Sequence, residues 1–113
     1  MKTIIAGTRT ISDMSLVEAA IRKSGFSISQ VVSGGAAGAD KLGEMWANKY
    51  KVPVKRFPAN WVANGRAAGP IRNREMAKYA DALIAVWDGT SRGTLNMIET
   101  AQKLGLKVFV FTL

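Results

Sequence analysis

Glycines, hydroxyl residues and charged residues concentrate in three short segments of this sequence, which are residues 7–9, 33–40 and 88–94. Glycine lets the backbone approach a ligand closely, so that several N–H groups can surround one phosphate. Guanidinium groups match phosphate geometry, and hydroxyls add donors. The pattern predicts a phosphate-binding pocket. Its candidate residues, with two arginines from a neighbouring helix, are Gly7, Thr8, Arg9, Ser33, Gly34, Gly35, Gly38, Asp40, Arg72, Arg74, Asp88, Gly89, Ser91, Gly93 and Thr94.

Several of these residues also have a purely structural interpretation. Gly34 and Gly35 are compatible with a tight turn, Asp40 with a helix cap, and Asp88 with the closure of a turn. Any single arginine could be solvated surface. Trp61 is either a platform on which a nucleobase stacks or an aromatic anchor for its loop.

The elements that position these segments follow from five short apolar runs that alternate with helical patterns. The runs are residues 3–6, 30–33, 52–57, 82–87 and 108–111. Most are continuously apolar, as in parallel strands that helices cover on both faces. The order βαβαβαβαβ predicts an α/β fold, a Rossmann-like, doubly wound, three-layer domain with a five-stranded parallel sheet in the order 3-2-1-4-5. All three glycine-rich segments then lie at the carboxyl edge of the sheet.

Helix boundaries are indicated by capping residues. The first helix is expected to start near Asp13 or Ser15, with Ser15 and Glu18 as a capping box, and to end at Gly25. The second is expected over residues 39–50, the third from Pro70, and the fourth from residues 93–94 to Gly105. Residues 58–69 are expected to form a long functional loop. The residues expected to face inward on the last three helices are Leu42, Met45, Trp46, Met76, Tyr79, Ala80, Leu95, Ile98 and Ala101.

Length and composition narrow the class of protein. A chain of 113 residues that is 48% hydrophobic fits one domain over residues 1–113, and no apolar stretch is long enough to cross a membrane, so a cytoplasmic protein is expected. Cysteine and histidine are absent, which excludes disulfides and thiolate zinc sites, and no metal or cofactor is expected. The formal charge of +8 favours an anionic partner. Neither G-x-G-x-x-G nor G-x-x-x-x-G-K-[ST] occurs, which argues against conventional dinucleotide-dependent dehydrogenases and P-loop NTPases.

Four blocks of the sequence together resemble the SLOG superfamily, the Rossmann-like group that unites the DNA-processing protein DprA with the lonely-guy phosphoribohydrolases. The blocks are residues 6–13, 33–40, 69–76 and 81–94, and the chain looks most like small stand-alone bacterial and phage members. The resemblance implies a nucleotide-type ligand held by the loops after the second and fourth strands. It also places Arg74 near the position of a catalytic arginine in the phosphoribohydrolases.

One departure from that family pattern bears on catalysis. The phosphoribohydrolases carry P-G-G-x-G-T-x-x-E, and the residue three positions after Thr94 is Met97 instead of the catalytic glutamate. Glu99 lies about 200° around an ideal helix from Met97 and does not replace it. Asp40 and Asp88 remain as other carboxylates of the pocket.

Three functions are therefore expected in this order. The first is a sensor, carrier or sequestering protein for a nucleotide-derived signal, such as an ADP-ribose or cyclic nucleotide species, in bacterial or phage conflict. The second is a hydrolase of N-glycosidic or phosphoester bonds. The third is a single-stranded nucleic-acid-binding protein like DprA, favoured by the basic charge and by Trp61. A homodimer is expected, because methionine and tryptophan recur on the helical stripes.

Overall fold

A computed structural model describes residues 1–113 and contains one parallel sheet with the strand order β3-β2-β1-β4-β5. The strands are β1 (Lys2–Gly7), β2 (Gln30–Ser33), β3 (Val54–Arg56), β4 (Ala82–Trp87) and β5 (Lys107–Thr112). The helices are α1 (Met14–Ser24), α2 (Ala39–Lys49), α3 (Trp61–Asn64), α4 (Ala68–Tyr79) and α5 (Arg92–Lys103), with a 3-10 turn at Gly65–Ala67. The predicted α/β Rossmann-like fold and its strand order are confirmed. None of the helices is both long and apolar enough to cross a membrane.

The central strands are continuously apolar because both of their faces are buried. Ile4 of β1 lies opposite Val32 of β2 and Leu83 of β4 in parallel register. Successive side chains of a strand point to opposite faces of the sheet. Ile4 and Leu83 accordingly belong to one core cluster, and Ile5 and Ile84 belong to the other.

The two core clusters show which helices cover each face. Met76 of α4 and Ile98 of α5 pack with Ile4 on one face. Val17 of α1 and Leu42 of α2 pack with Ile5 on the other face. The chain therefore leaves β1 towards one face and leaves the adjacent β4 towards the opposite face. A crevice opens at such a point between the carboxyl ends of the two strands.

The start of α1 differs from the expected capping box. The carboxylate of Asp13 accepts hydrogen bonds from the backbone N–H of Ser15 at 2.9 Å and from its hydroxyl at 2.7 Å. Asp13 is thus the N-cap, and the box of Ser15 with Glu18 is wrong, because the Ser15 hydroxyl is committed to Asp13. The helix ends at Gly25 in the left-handed conformation, as predicted.

The long loop expected over residues 58–69 is wrong, because most of that segment is helical. Asn60 caps α3 by accepting a hydrogen bond from the N–H of Ala63 at 3.0 Å, and the 3-10 turn leads directly into α4. Helix α4 consequently starts at Ala68, two residues before the predicted start at Pro70. Pro70 still lies in the first turn, where its missing N–H costs no helical hydrogen bond.

Two residues expected to face inward are exposed. Met45 is 55% exposed and Leu95 is 39% exposed. In α2 the buried face runs instead through Asp40, Gly43 and Glu44, which turns Met45 towards solvent. A pattern based on apolar residues alone misses a face that contains two buried carboxylates.

The expected homodimer stays a prediction.

Gly43 offers a test of the close packing between α2 and β1. A Cβ at this position would lie 2.7 Å from Cγ2 and 2.9 Å from Cβ of Ile5. Because overpacking a core costs about 1–3 kcal/mol, Gly43→Ala should lower the free energy of unfolding in urea or guanidinium denaturation. The matched control is Gly93→Ala in α5, where an added Cβ meets no atom within 4 Å. Equal free energies of unfolding for the two variants would contradict this packing.

Candidate functional site

Two adjoining cavities of about 460 and 310 Å³ lie at the carboxyl edge of the sheet. They share Arg9, Ala36, Trp61 and Arg72, so they form one continuous cleft, which we call the basic cleft. The larger part, the β3-side cavity, is completed by Gly34, Gly35, Lys41, Arg56, Pro58 and Ala59. The smaller part, the β4-side cavity, is completed by Ala6, Gly7, Asp40, Arg66, Gly69, Pro70, Asn73, Met76, Ser91, Arg92, Gly93, Thr94, Asn96 and Met97.

Arginine is strongly concentrated in the basic cleft. Five of the seven arginines in the chain line it, but only one of the nine lysines does. These cations are Arg9, Lys41, Arg56, Arg66, Arg72 and Arg92. Asp40 is the one carboxylate among the lining residues. The cleft therefore carries a clear excess of positive charge, on side chains suited to phosphate.

Thr8 holds together the three loops that form the cleft. Its backbone N–H donates to the carbonyl of Val86 at 2.9 Å, and its carbonyl accepts from the N–H of Ala39 at 3.1 Å. Its hydroxyl oxygen accepts from the N–H of Asp88 at 3.0 Å. The side chain is buried, so Thr8 fixes the ends of β1 and β4 and the start of α2 without lining the cavities.

Gly38 allows this close approach. Its φ is +76°, and a Cβ there would collide with the backbone of Thr8 and Arg9. A side chain at this position would push α2 away from the end of β1. Gly38 therefore contributes to the cleft through packing and does not line it.

A buried carboxylate anchors the β3 side of the cleft. Glu44 of α2 accepts a hydrogen bond from the Ser33 hydroxyl at 2.6 Å and from Nε of Arg56 at 3.0 Å, and it forms an ion pair with the Arg56 guanidinium. Burial raises the pKa of Glu44, but the hydrogen bonds from Arg56 and Ser33 and the Arg56 charge outweigh burial and hold the pKa below its usual value. Glu44 thereby keeps Arg56 at the cleft.

Arg72 is the most constrained arginine of the cleft. Its Nη1 donates to the carbonyl of Gly34 at 2.8 Å, and its Nε donates to Oδ1 of Asn73 at 3.1 Å. Buried Asn73 in turn donates to Oδ1 of Asn96 on α5 at 2.9 Å. Burial lowers the pKa of Arg72, whereas the charge of Asp40 opposes that shift. Arg72 thus connects the loop after β2 to α4 and, through Asn73, to α5.

Two amides of the loop after β2 are already engaged within the protein. The N–H of Gly35 donates to the Ser33 hydroxyl at 3.0 Å, and the N–H of Ala36 donates to Oδ2 of Asp40 at 3.2 Å. The expectation that several amides of this loop surround a phosphate is therefore wrong for these two groups, because neighbouring side chains take their hydrogens. The arginine side chains of the cleft and the amides that have no partner within the protein, such as that of Gly34, remain as donors.

The loop after β4 shows the same behaviour. Oδ1 of Asp88 accepts hydrogen bonds from the N–H groups of Thr90 at 2.9 Å and Ser91 at 2.8 Å. These hydrogen bonds lower the pKa of Asp88, which is fully exposed. Asp88 closes a turn that includes Gly89 and does not line the cleft.

The structure brings nine of the predicted site residues to the cleft. They are Gly7, Arg9, Gly34, Gly35, Asp40, Arg72, Ser91, Gly93 and Thr94. Thr8, Ser33 and Gly38 do not line the cavities, but they hydrogen-bond to or pack against the segments that do. Arg74 is exposed and lies outside the cavities, because a residue two positions from Arg72 points to another side of α4.

Sequence reasoning missed Lys41, Glu44, Arg56, Arg66 and Asn73. Arg56 ends β3, so the rule that parallel strands share one carboxyl edge could have identified it. Glu44 lies four residues after Asp40, and this spacing places both carboxylates on the same face of α2. Arg66 falls in the segment that was expected to be an irregular loop, and its position depends on the unpredicted helical turns.

Met97 lies in the wall of the β4-side cavity and is 1% exposed. A thioether therefore stands where the resemblance to the phosphoribohydrolases places a catalytic glutamate. Glu99 is exposed and outside the cavity. Asp40 is left as the carboxylate of the cleft, and burial raises its pKa to about 6 against the opposing effects of the Ala36 hydrogen bond and of Arg72 and Arg9.

The fold and the cleft together define the class of protein. It is a Rossmann-like α/β domain with an arginine-lined cleft at the point where β1 and β4 lead to opposite faces of the sheet. The model of the YspA, cpYpsA-related SLOG family, abbreviated YAcAr, matches residues 1–63, which is more than half of the chain. The chain belongs to this SLOG family.

Two individual proteins are also similar. The Gene 61 protein of Mycobacterium phage D29 is 33% identical over 120 aligned residues, which cover 97% of this chain and 95% of that protein. DNA processing protein A (DprA) from Streptococcus pneumoniae shares the fold with a TM-score of 0.75 at 21% identity. The match covers 96% of this chain and 49% of the DprA chain, so this chain spans about half the length of that relative.

The buried Asp40 predicts a pH dependence of stability. Its pKa of about 6 in the folded protein exceeds the ordinary value of 3.8, so its contribution to stability is complete below about pH 3.8 and is lost as pH rises through 6. Between pH 5 and 7.5 the free energy of unfolding should fall by about 1 kcal/mol from this group. Asp40→Asn keeps an acceptor for Ala36 and should remove that fall. Denaturation at both pH values measures it, and an identical pH dependence in the variant would exclude Asp40 as the source.

Proposed function

We propose that this protein binds a nucleotide-type ligand in the basic cleft and acts as a sensor, carrier or sequestering protein for a nucleotide-derived signal. The observation that carries the proposal is the concentration of five of the seven arginines around a cavity with one carboxylate. Charge-assisted hydrogen bonds from guanidinium groups are strong and geometrically suited to phosphate oxygens. Membership of a SLOG family supports the same class of ligand.

Trp61 supports a nucleotide over a simple anion. It is 52% exposed and borders both cavities, so one face of its indole is available beside the shared arginines. Aromatic rings stack on nucleobases with a free energy of about 1–3 kcal/mol per base. A ligand with both phosphate and base would use Trp61 and the arginines together.

The cleft favours binding over hydrolysis. The phosphoribohydrolases that the chain resembles use a catalytic glutamate, and Met97 stands at that position in the wall of the β4-side cavity. Asp40 is engaged by the N–H of Ala36. The similarity to a phage protein of nearly the same length supports a role in bacterial or phage conflict.

Single-stranded nucleic-acid binding is the second candidate, favoured by the fold shared with DNA processing protein A. The net charge of +8 agrees with it. Ten of the sixteen basic residues lie outside the cleft, however, and a binder of this kind would use them as well as the cleft.

Arg9 and Arg74 provide a matched pair that separates the two candidates. Both are exposed and neither side chain makes a hydrogen bond within the protein, but Arg9 borders both cavities and Arg74 borders neither. Arg9→Ala should weaken binding of AMP or ADP-ribose about tenfold or more, because it removes a charge-assisted pair. Arg74→Ala should change the affinity less than twofold, contrary to the role that the family resemblance implies for Arg74. Isothermal titration calorimetry on the folded variants measures both.

Two outcomes of this experiment would contradict the proposal. Equal losses for the two variants, with a steep salt dependence and tighter binding of single-stranded DNA than of nucleotides, would replace the proposal with nucleic-acid binding. The absence of heat with every nucleotide would reject it. Arg9 is preferred to Gly35 as the test residue, because Gly35 has a φ of +73° and any side chain there would also strain the backbone.

A further inference from the structure

We infer that the basic cleft takes a ligand with two separated anionic groups, one on each side of the ribose of a nucleoside, as in a nucleoside 3′,5′-bisphosphate. This inference rests on the proposed function and specifies its ligand class. It follows from the distribution of the cations between the two cavities, from the excess of these cations over the carboxylates beside them and from the position of Trp61.

The six cations fall into three pairs along the cleft. Lys41 and Arg56 border only the β3-side cavity, whereas Arg66 and Arg92 border only the β4-side cavity. Arg9 and Arg72 border both cavities. The two outer pairs border different cavities, so a phosphate seated in one cavity would leave the pair that borders only the other cavity without a ligand counter-charge.

The outer pairs are only partly neutralised by the protein itself. On the β3 side, Arg56 forms an ion pair with Glu44, and the charge of Lys41 also acts on that carboxylate, so two cations share one anion. On the β4 side, Arg66 and Arg92 form no ion pair. Arg92 also lies in the first turn of α5, where a positive charge is unfavourable to the helix dipole. Like charges held near one another raise the free energy of the empty protein, and an anion at each end would offset that repulsion.

The shared region between the outer pairs contains an aromatic side chain beside Arg9 and Arg72, so it fits the base of a ligand as well as an anionic group. Trp61 borders both cavities there, and its ring is half exposed. A nucleobase stacked on Trp61 would place its sugar between the two ends of the cleft. A pyrophosphate-linked ligand such as ADP-ribose would instead bring both charges together near Arg9 and Arg72 and leave the outer pairs unused.

The test compares ligands that differ in the number and the spacing of their phosphates. Calorimetric titration with adenosine 3′,5′-bisphosphate, ADP and 5′-AMP separates two distant phosphates from two adjacent ones and from one. The bisphosphate should bind at least tenfold more tightly than either ADP or AMP. If ADP binds as tightly as the bisphosphate, the inference fails while the proposed function stands, and if none of the three binds, the proposed function itself fails.

Two single variants locate the two anions. Lys41→Ala and Arg92→Ala each remove an exposed cation that makes no side-chain hydrogen bond or ion pair, one from each end of the cleft. Each variant should bind the bisphosphate several-fold more weakly than the unchanged protein, and the two losses of affinity should multiply in the double variant, as for independent sites. Only one of the two variants should bind 5′-AMP more weakly. Equal weakening of 5′-AMP by both variants would overturn the inference, as would affinity for oligonucleotides that rises steadily with their length.

Discussion

The three hydrogen bonds of Thr8 are the contacts on which the cleft depends, because they join segments that are far apart in the sequence. Asp88 is eighty residues from Thr8, yet its N–H donates to the Thr8 hydroxyl. The carbonyl of Thr8 meanwhile accepts from the first residue of α2, which Gly38 allows to approach. Since β1 and β4 send their helices to opposite faces, the crevice between them would exist in any doubly wound sheet. Thr8 gives that crevice fixed walls.

Two buried carboxylates on α2 determine which groups remain available to a ligand. Asp40 accepts from the N–H of Ala36, and Glu44 accepts from the hydroxyl of Ser33, which itself accepts from the N–H of Gly35. The glycine-rich loop is therefore held in shape by side chains of its own protein. A loop held in this way is preorganised, and two of its amides are not free for a ligand.

The sequence was sufficient for the fold because both faces of the central strands are buried, which gives continuous apolar runs that alternate with helical patterns. It was insufficient where burial involves polar groups. Met45 is exposed because the buried face of α2 contains Asp40 and Glu44, and no apolar pattern records that. The sequence also could not show that Arg72 lines the cleft and Arg74 does not, since this difference depends on how α4 is rotated against the sheet. Residues of all three loops predicted to bind phosphate line the cleft, but the engagement of their amides depends on distances within the folded chain.

Asp40 links the charge of the cleft to proton uptake. A carboxyl with a pKa of about 6 is partly protonated near neutral pH, and an anion bound in the β4-side cavity would disfavour its charged form further. Binding of a phosphate group and binding of a proton to Asp40 would then reinforce each other, because both reduce repulsion in the same cavity. Protonation of Asp40 would also weaken its attraction for Arg72. That attraction raises the pKa of Arg72 and so opposes the lowering by burial. A pKa of about 6 leaves most of the Asp40 carboxyl charged at pH 7 while the cleft is empty, so the proton would be taken up together with the anion, and affinity for an anion would rise as the pH falls towards 6.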